Sequence, residues 1–235
     1  MYTLEIIAST PKDVIVAQEN GADRLELVSG FSEGGLTPSL GLIEQVKKVA
    51  KIPVMVMIRP KGGNFVYSDE EIDIMERDIE VVKKIGLAGI VLGVLGTDKK
   101  VNVTALNRLL AKSTGLDITF HRVFDECSDL DHTIQTLTNL GIKRILTSGR
   151  GENSFLGLEM LNCLHKKYQH MIFMPGVGLD AENLMDFIRK TPLSKEIHLG
   201  LGVRAAKDPL KDVQGEKVLR ARGVLDSLAK EWCNN

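Results

Sequence analysis

RLELV, residues 24–28, sets a carboxylate between two leucines in a stretch that otherwise reads as a buried strand. Side chains of a strand alternate faces with period two, so Leu25 and Leu27 share one face and Glu26 takes the other. Four further segments repeat the pattern: Glu5 in TLEII (3–7), Arg59 in VMVMIRP (54–60), His121 in DITFHR (117–122) and His198 in EIHLG (196–200). In each, the other parity is apolar, as in Leu4 and Ile6, Val54 and Val56, or Ile197 and Leu199. Those apolar faces call for helices against them. The five ionisable residues then occupy the opposite face, and a sheet that closes on itself points all five into one interior. Buried charge is costly unless it is paired, so the set marks a site.

Outward from these segments, strand and helix patterns alternate along the chain. Strands are predicted near 2–7, 24–28, 54–59, 89–95, 117–122, 144–149, 171–175 and 196–201, and helices near 11–19, 39–50, 69–85, 103–113, 129–139, 155–168, 180–189 and 215–230. Thr10-Pro11 supplies an N-cap followed by proline at the first helical position, and Ser68-Asp69-Glu70-Glu71 is a capping box. Gly21, Gly86, Gly115 and Gly141 stand where helices should stop. No Pro/Ser-rich linker interrupts the series, so residues 1–235 read as one domain. Eight βα units predict an α/β fold, a single (β/α)8 TIM barrel. An open doubly wound sheet would make its strands apolar on both faces, which the inward charges oppose.

Composition narrows the function classes. The 235 residues carry a net charge of −1 with no long basic run, which gives no footprint for nucleic acid, and the apolar runs are too short for a membrane span. The amino terminus opens straight into a strand pattern, so no signal peptide is expected. Three widely spaced cysteines, Cys127, Cys163 and Cys233, form neither a disulfide framework nor a CxxC site. A cytoplasmic location is the expectation.

Barrel enzymes place their chemistry at the carboxyl ends of the strands. Arg59 ends the third strand, where it could bind an anion bidentately or form an ion pair with Glu26. His198, Glu5 and Glu26 come from strands 8, 1 and 2, which are consecutive around a closed barrel. They could work as acid and base, hold a divalent metal, or fill the interior as a polar network. His121 is a candidate acid or base, with Arg122 on the outward parity. Glycine loops follow strands 6, 7 and 8; Ser148, Gly149, Gly176, Gly178 and Gly202 are candidates for holding an anion on backbone N–H groups. Cys127, just past strand 5, is a weak candidate for a soft metal such as Cu(I).

Six segments, NGADRLEL (20–27), EGGLTPSLG (33–41), VMIRPKGGNFVYSDEE (56–71), TFHRVFDEC (119–127), LTSG (146–149) and MPGVG (174–178), resemble the CutC family. The resemblance implies a cytosolic (β/α)8 barrel, often a homo-oligomer, with a role in copper homeostasis and copper as the possible bound ion. Some relatives carry cysteines where this chain has Ile7 and Val28, so Cys127 alone remains of the thiols the resemblance would supply. Two functions follow as expectations: a CutC-like protein of copper homeostasis, or a barrel enzyme for a small anionic or sugar-like metabolite using Glu5, Glu26, Arg59, His121 and His198. A non-catalytic oligomer is a third.

Overall fold

The computed structural model describes residues 1–233. Eight strands are formed by Thr3–Ala8 (β1), Arg24–Leu27 (β2), Val54–Met57 (β3), Gly89–Leu92 (β4), Asp117–Phe120 (β5), Arg144–Thr147 (β6), Ile172–Pro175 (β7) and Glu196–Leu199 (β8). Eight helices alternate with them: Pro11–Glu19 (α1), Leu40–Val49 (α2), Asp69–Ile85 (α3), Val103–Lys112 (α4), Leu130–Asn139 (α5), Leu158–Lys167 (α6), Leu184–Lys190 (α7) and Gly215–Cys233 (α8). The local signals act as expected. Thr10 caps α1 by accepting from the Asp13 N–H, and Ser68 and Glu71 complete a reciprocal capping box at α3. Gly86 ends α3 in the left-handed region at φ 79°. Ile72, Met75, Ile79 and Val82 form the buried stripe of α3, spaced as an amphipathic helix requires.

All seven ladders are parallel, in the order β7-β6-β5-β4-β3-β2-β1-β8. The sheet curls until β7 and β8 lie side by side, although no ladder joins them among the described residues. The fold is thus a (β/α)8 barrel with one unladdered seam. Between sheet and helices lies the main core, to which Leu4, Leu25, Val56, Phe120, Phe173 and Ile197 contribute from the outward parity of their strands. Inside the barrel, a small apolar group of Ile7, Val28, Met55, Met57 and Val91 shares space with charge.

That charge is organised as a floor. Glu5 pairs in register with Arg24 on one side and with His198 on the other. The Arg24 guanidinium donates to Glu5, to Glu196 at 2.6 Å and to the Met174 sulfur at 3.2 Å. Arg144 donates to Glu196 at 2.8 Å and to Asp117 at 2.7 Å. Two arginines and three carboxylates from five strands therefore brace the amino-terminal end of the barrel. Removing one partner of a buried pair leaves the other uncompensated. Arg24→Met should lower the unfolding free energy by about 3–5 kcal/mol, read as an earlier midpoint in urea. A change within about 0.5 kcal/mol, the scale of an ordinary surface substitution, would show that the floor does not hold the barrel together.

Candidate functional site at the barrel mouth

The carboxyl ends of the strands open into a cavity of about 640 Å³, lined among others by Glu26, Met57, Arg59, Phe65, His121 and His198. Four of the five inward ionisable residues line it directly. Glu5 lies one step deeper and reaches the mouth through His198. All five are at least 95% buried.

His198 sits between two carboxylates. Its Nδ1 donates to Glu5 Oε1 at 2.7 Å, and its Nε2 is 3.6 Å from Glu26 Oε2. Burial alone would push its pKa down, but Glu26 and Glu5 outweigh burial and raise it. Glu5, although burial opposes its ionisation, is held well below the usual carboxylate range by Arg24 and His198. Glu26 has no arginine in direct contact, and burial raises its pKa despite His198. Two carboxylates one strand apart are thereby driven in opposite directions, the pattern that separates a permanent anion from a proton-transfer group.

His121 follows β5 and caps the turn that follows. Its Nδ1 accepts from the Val123 N–H at 3.2 Å. Gly93 makes room for the imidazole, since a Cβ there would lie 2.7 Å from the ring. Burial, with Arg59 as the second cause, lowers its pKa to about 3, so the ring is neutral at physiological pH. Phe65, from the long loop after β3, packs at 4.9 Å from the His121 ring and at 4.7 Å beneath the Arg59 guanidinium.

Several expectations need correction. Arg59 does not pair with Glu26, nor does it present a free fork for an anion. Its terminal nitrogens donate to the carbonyls of Glu33 and Gly35 and to that of Gly63, which ties together the loops after β2 and β3. Only its Nε is left without a partner. Arg122 lines the cavity although its parity points outward, because β5 ends at Phe120 and a 3-10 turn resets the direction. Cys127 does not face the mouth. It is fully buried in the outer core, its thiol donates to the Val123 carbonyl, and burial raises its pKa.

The loop after β6 is already occupied, whereas Gly178 and Gly202, on the loops after β7 and β8, line the cavity. Asp125 accepts from the Ser148 N–H and the Arg150 N–H, each at 3.1 Å, and from the Thr147 hydroxyl, so the chain's own carboxylate sits where an anion would on the loop after β6. The Ser148 hydroxyl donates to the Gly151 carbonyl at 2.6 Å. Side chains at Gly149, Gly178 and Gly202 would collide with Gly157, Asn153 and Leu179, and one at Gly176 with Leu146. These glycines let loops approach one another. Sequence reading missed Arg24, Arg144, Glu196 and Phe65. The first three share the parity of the inward set, which was the available signal.

A copper site finds little to build on. Among the described residues, no group of three or more His, Cys, Asp or Glu side chains is arranged to hold a metal ion. The soft donor Cys127 is spent on a backbone carbonyl. No described helix is long and apolar enough to cross a membrane.

A (β/α)8 barrel with a buried carboxylate–histidine cluster at its mouth is the class that fold and site define. Within it, the chain belongs to the CutC family, whose model matches residues 2–203. A family protein CutC from Photorhabdus laumondii is 40% identical over 188 residues, covering 80% of this chain and 76% of that protein. A Streptococcus agalactiae CutC structure, named for copper homeostasis, is 33% identical with a TM-score of 0.80, covering 85% of this chain and 98% of that one. Phosphoribosyl anthranilate isomerase from Thermotoga maritima, at 13% identity and a TM-score of 0.67 over 97% of this chain and all of its own, shares the barrel fold.

The neutral His121 has a thermodynamic signature. Its folded pKa lies below its unfolded value of 6.5, so it contributes stability above that pH and loses it as pH falls toward about 3. The stability difference between wild type and His121→Asn should therefore shrink on acidification from pH 6.5, by up to about 1.4 kcal/mol per pH unit. Chemical denaturation at pH 7, 6 and 5 measures it, and a difference independent of pH would mean that folding leaves the His121 pKa at its unfolded value.

Proposed function

We propose that the barrel mouth binds a small, uncharged, polyhydroxy metabolite of the sugar type and acts on it by acid–base chemistry. One observation carries the reading. Three residues that line the same cavity each hold a buried polar atom with no partner within the protein: Glu26 Oε1, Arg59 Nε and His121 Nε2. Buried polar groups are almost always hydrogen-bonded, and three orphans around one cavity are the complement of a polar guest. Perturbed acids and bases in a concave site support catalysis over mere binding.

The charge balance favours an uncharged guest. Arg122 has Asp125 at 3.2 Å and Lys207 has Asp180 at 2.6 Å as counter-charges. Arg59 is held by three neutral carbonyls and keeps its charge, but Glu26, Glu33 and Glu126 line the same cavity. Asp125 takes the N–H groups of the loop after β6. A phosphate or carboxylate would meet those carboxylates together with the single uncompensated guanidinium of Arg59.

A role in copper homeostasis is the second reading, favoured by the family match and by the name of the S. agalactiae relative. A thermal-shift screen separates the two. Free aldoses and ketoses, the corresponding sugar phosphates, and Cu(I) under reducing conditions are compared as ligands. A ligand at a hundredfold excess over its Kd adds about 2.7 kcal/mol of stability. The expected outcome is a shift with one or more free sugars that Glu26→Gln diminishes. A shift with Cu(I) alone, lost in Cys127→Ser, would replace this reading with copper binding, and a shift confined to sugar phosphates would overturn the uncharged guest.

A further inference from the structure

The orientation of the orphan atoms assigns a reaction class. Because the Val123 N–H donates to His121 Nδ1, the imidazole hydrogen resides on Nε2, the nitrogen without a partner at the cavity. The neutral ring is thus a hydrogen-bond donor with nothing to donate to. Arg59 Nε–H is a second such donor, and the shared contact with Phe65 sets both groups against the same ring. Glu26 Oε1 is the opposite kind of atom, an acceptor whose sister oxygen Oε2 faces His198. One site therefore holds two fixed donors that carry no acceptor and one carboxylate oxygen that carries no donor.

We infer, resting on the sugar-type reading above, that the mouth enolises an α-hydroxy carbonyl compound: Glu26 takes the proton from the carbon beside the carbonyl, while His121 Nε2–H and Arg59 Nε–H hold the carbonyl oxygen. The C–H electron pair becomes the carbon–carbon double bond, and the carbonyl π pair moves onto oxygen. Donors already in place for the developing oxyanion stabilise it without reorganisation. A proton then passes from the neighbouring hydroxyl to the former carbonyl oxygen. The proton on Glu26 returns to the other carbon, which interconverts aldose and ketose. No bond order or electron is left unbalanced, and neither oxidant nor reductant is needed. His198 and Glu5 are positioning residues: Glu5, anchored by Arg24, fixes His198, whose Nε2 faces Glu26 Oε2 at 3.6 Å while Oε1 has no partner. The two donors explain why a neutral imidazole serves here, since a histidine beside an arginine cannot easily carry a charge of its own.

Solvent exchange tests this directly. The intact protein in D2O is incubated with free trioses, tetroses, pentoses and hexoses in aldose and ketose form, and ¹H NMR follows deuterium entering the carbon beside the carbonyl. At least one compound that protects the protein against heat should exchange. Glu26→Gln should slow exchange about 10²–10⁴-fold, and His121→Leu about 10²–10³-fold, each by far more than the accompanying loss of thermal protection by the same sugar. Thermal protection without deuterium entry in any protecting sugar overturns the enolisation while sparing the binding reading. Absence of protection by every free sugar overturns both. Exchange that persists at the wild-type rate in a folded Glu26→Gln protein removes Glu26 as the base. If that variant does not fold, His121→Leu carries the same decision for the oxygen-holding donor.

Discussion

The ion pair between Arg24 and Glu5 is the contact on which the rest of the interior depends. It joins neighbouring strands near the amino-terminal end of the barrel, and it keeps Glu5 ionised against a strong desolvation penalty. An ionised Glu5 orients His198 through Nδ1, and His198 then faces Glu26 through Nε2. Arg24 also reaches Glu196 and the Met174 sulfur, so one guanidinium spans β2, β1, β8 and β7. The ionisation of Glu5 is therefore set from below, by a residue that lines none of the cavity.

Much of this was legible in the sequence because parity is a strong signal. Glu5, Glu26, His121 and His198 fell on the inward face as their apolar neighbours fell on the outward one. Arg24 and Glu196 obey the same rule, two positions before Glu26 and His198, yet they stand at strand starts, where a charged residue also suits an exposed strand end. What period two cannot reach is the loops. Arg122 lies past the end of β5, so its direction is set by a 3-10 turn. Asp125 finds Thr147, Ser148 and Arg150 only after the barrel has formed. Phe65 reaches His121 across a loop and two strands. Glycine spacing was the least informative signal, because a tight loop and an anion cradle demand the same residue.

Family membership and donor chemistry speak to different questions. The match to CutC proteins over nearly all of the chain fixes the fold and kinship. It does not put a second soft donor beside Cys127, which serves the outer core. Where some relatives would carry thiols, Ile7 and Val28 join the apolar group inside the barrel. The mouth offers oxygen and nitrogen donors and the Met57 thioether, of which Cu(I) prefers the sulfur.

The seam between β7 and β8 gives the barrel a direction of weakness. Seven ladders hold the sheet as a rolled strip, and the eighth junction is stitched by side chains and loops: Glu196 to Arg144 across β7, the His165 ring to Ser194, and Lys207 to Asp180. Partial opening should begin where backbone pairing is absent, and β8 carries both His198 and Glu196. Closure of the cylinder and assembly of the site are consequently one cooperative event. A chain caught part-way through unrolling would keep most of its secondary structure yet lose the cluster at the mouth, so a probe of the His198 environment would report damage before any spectrum of the backbone.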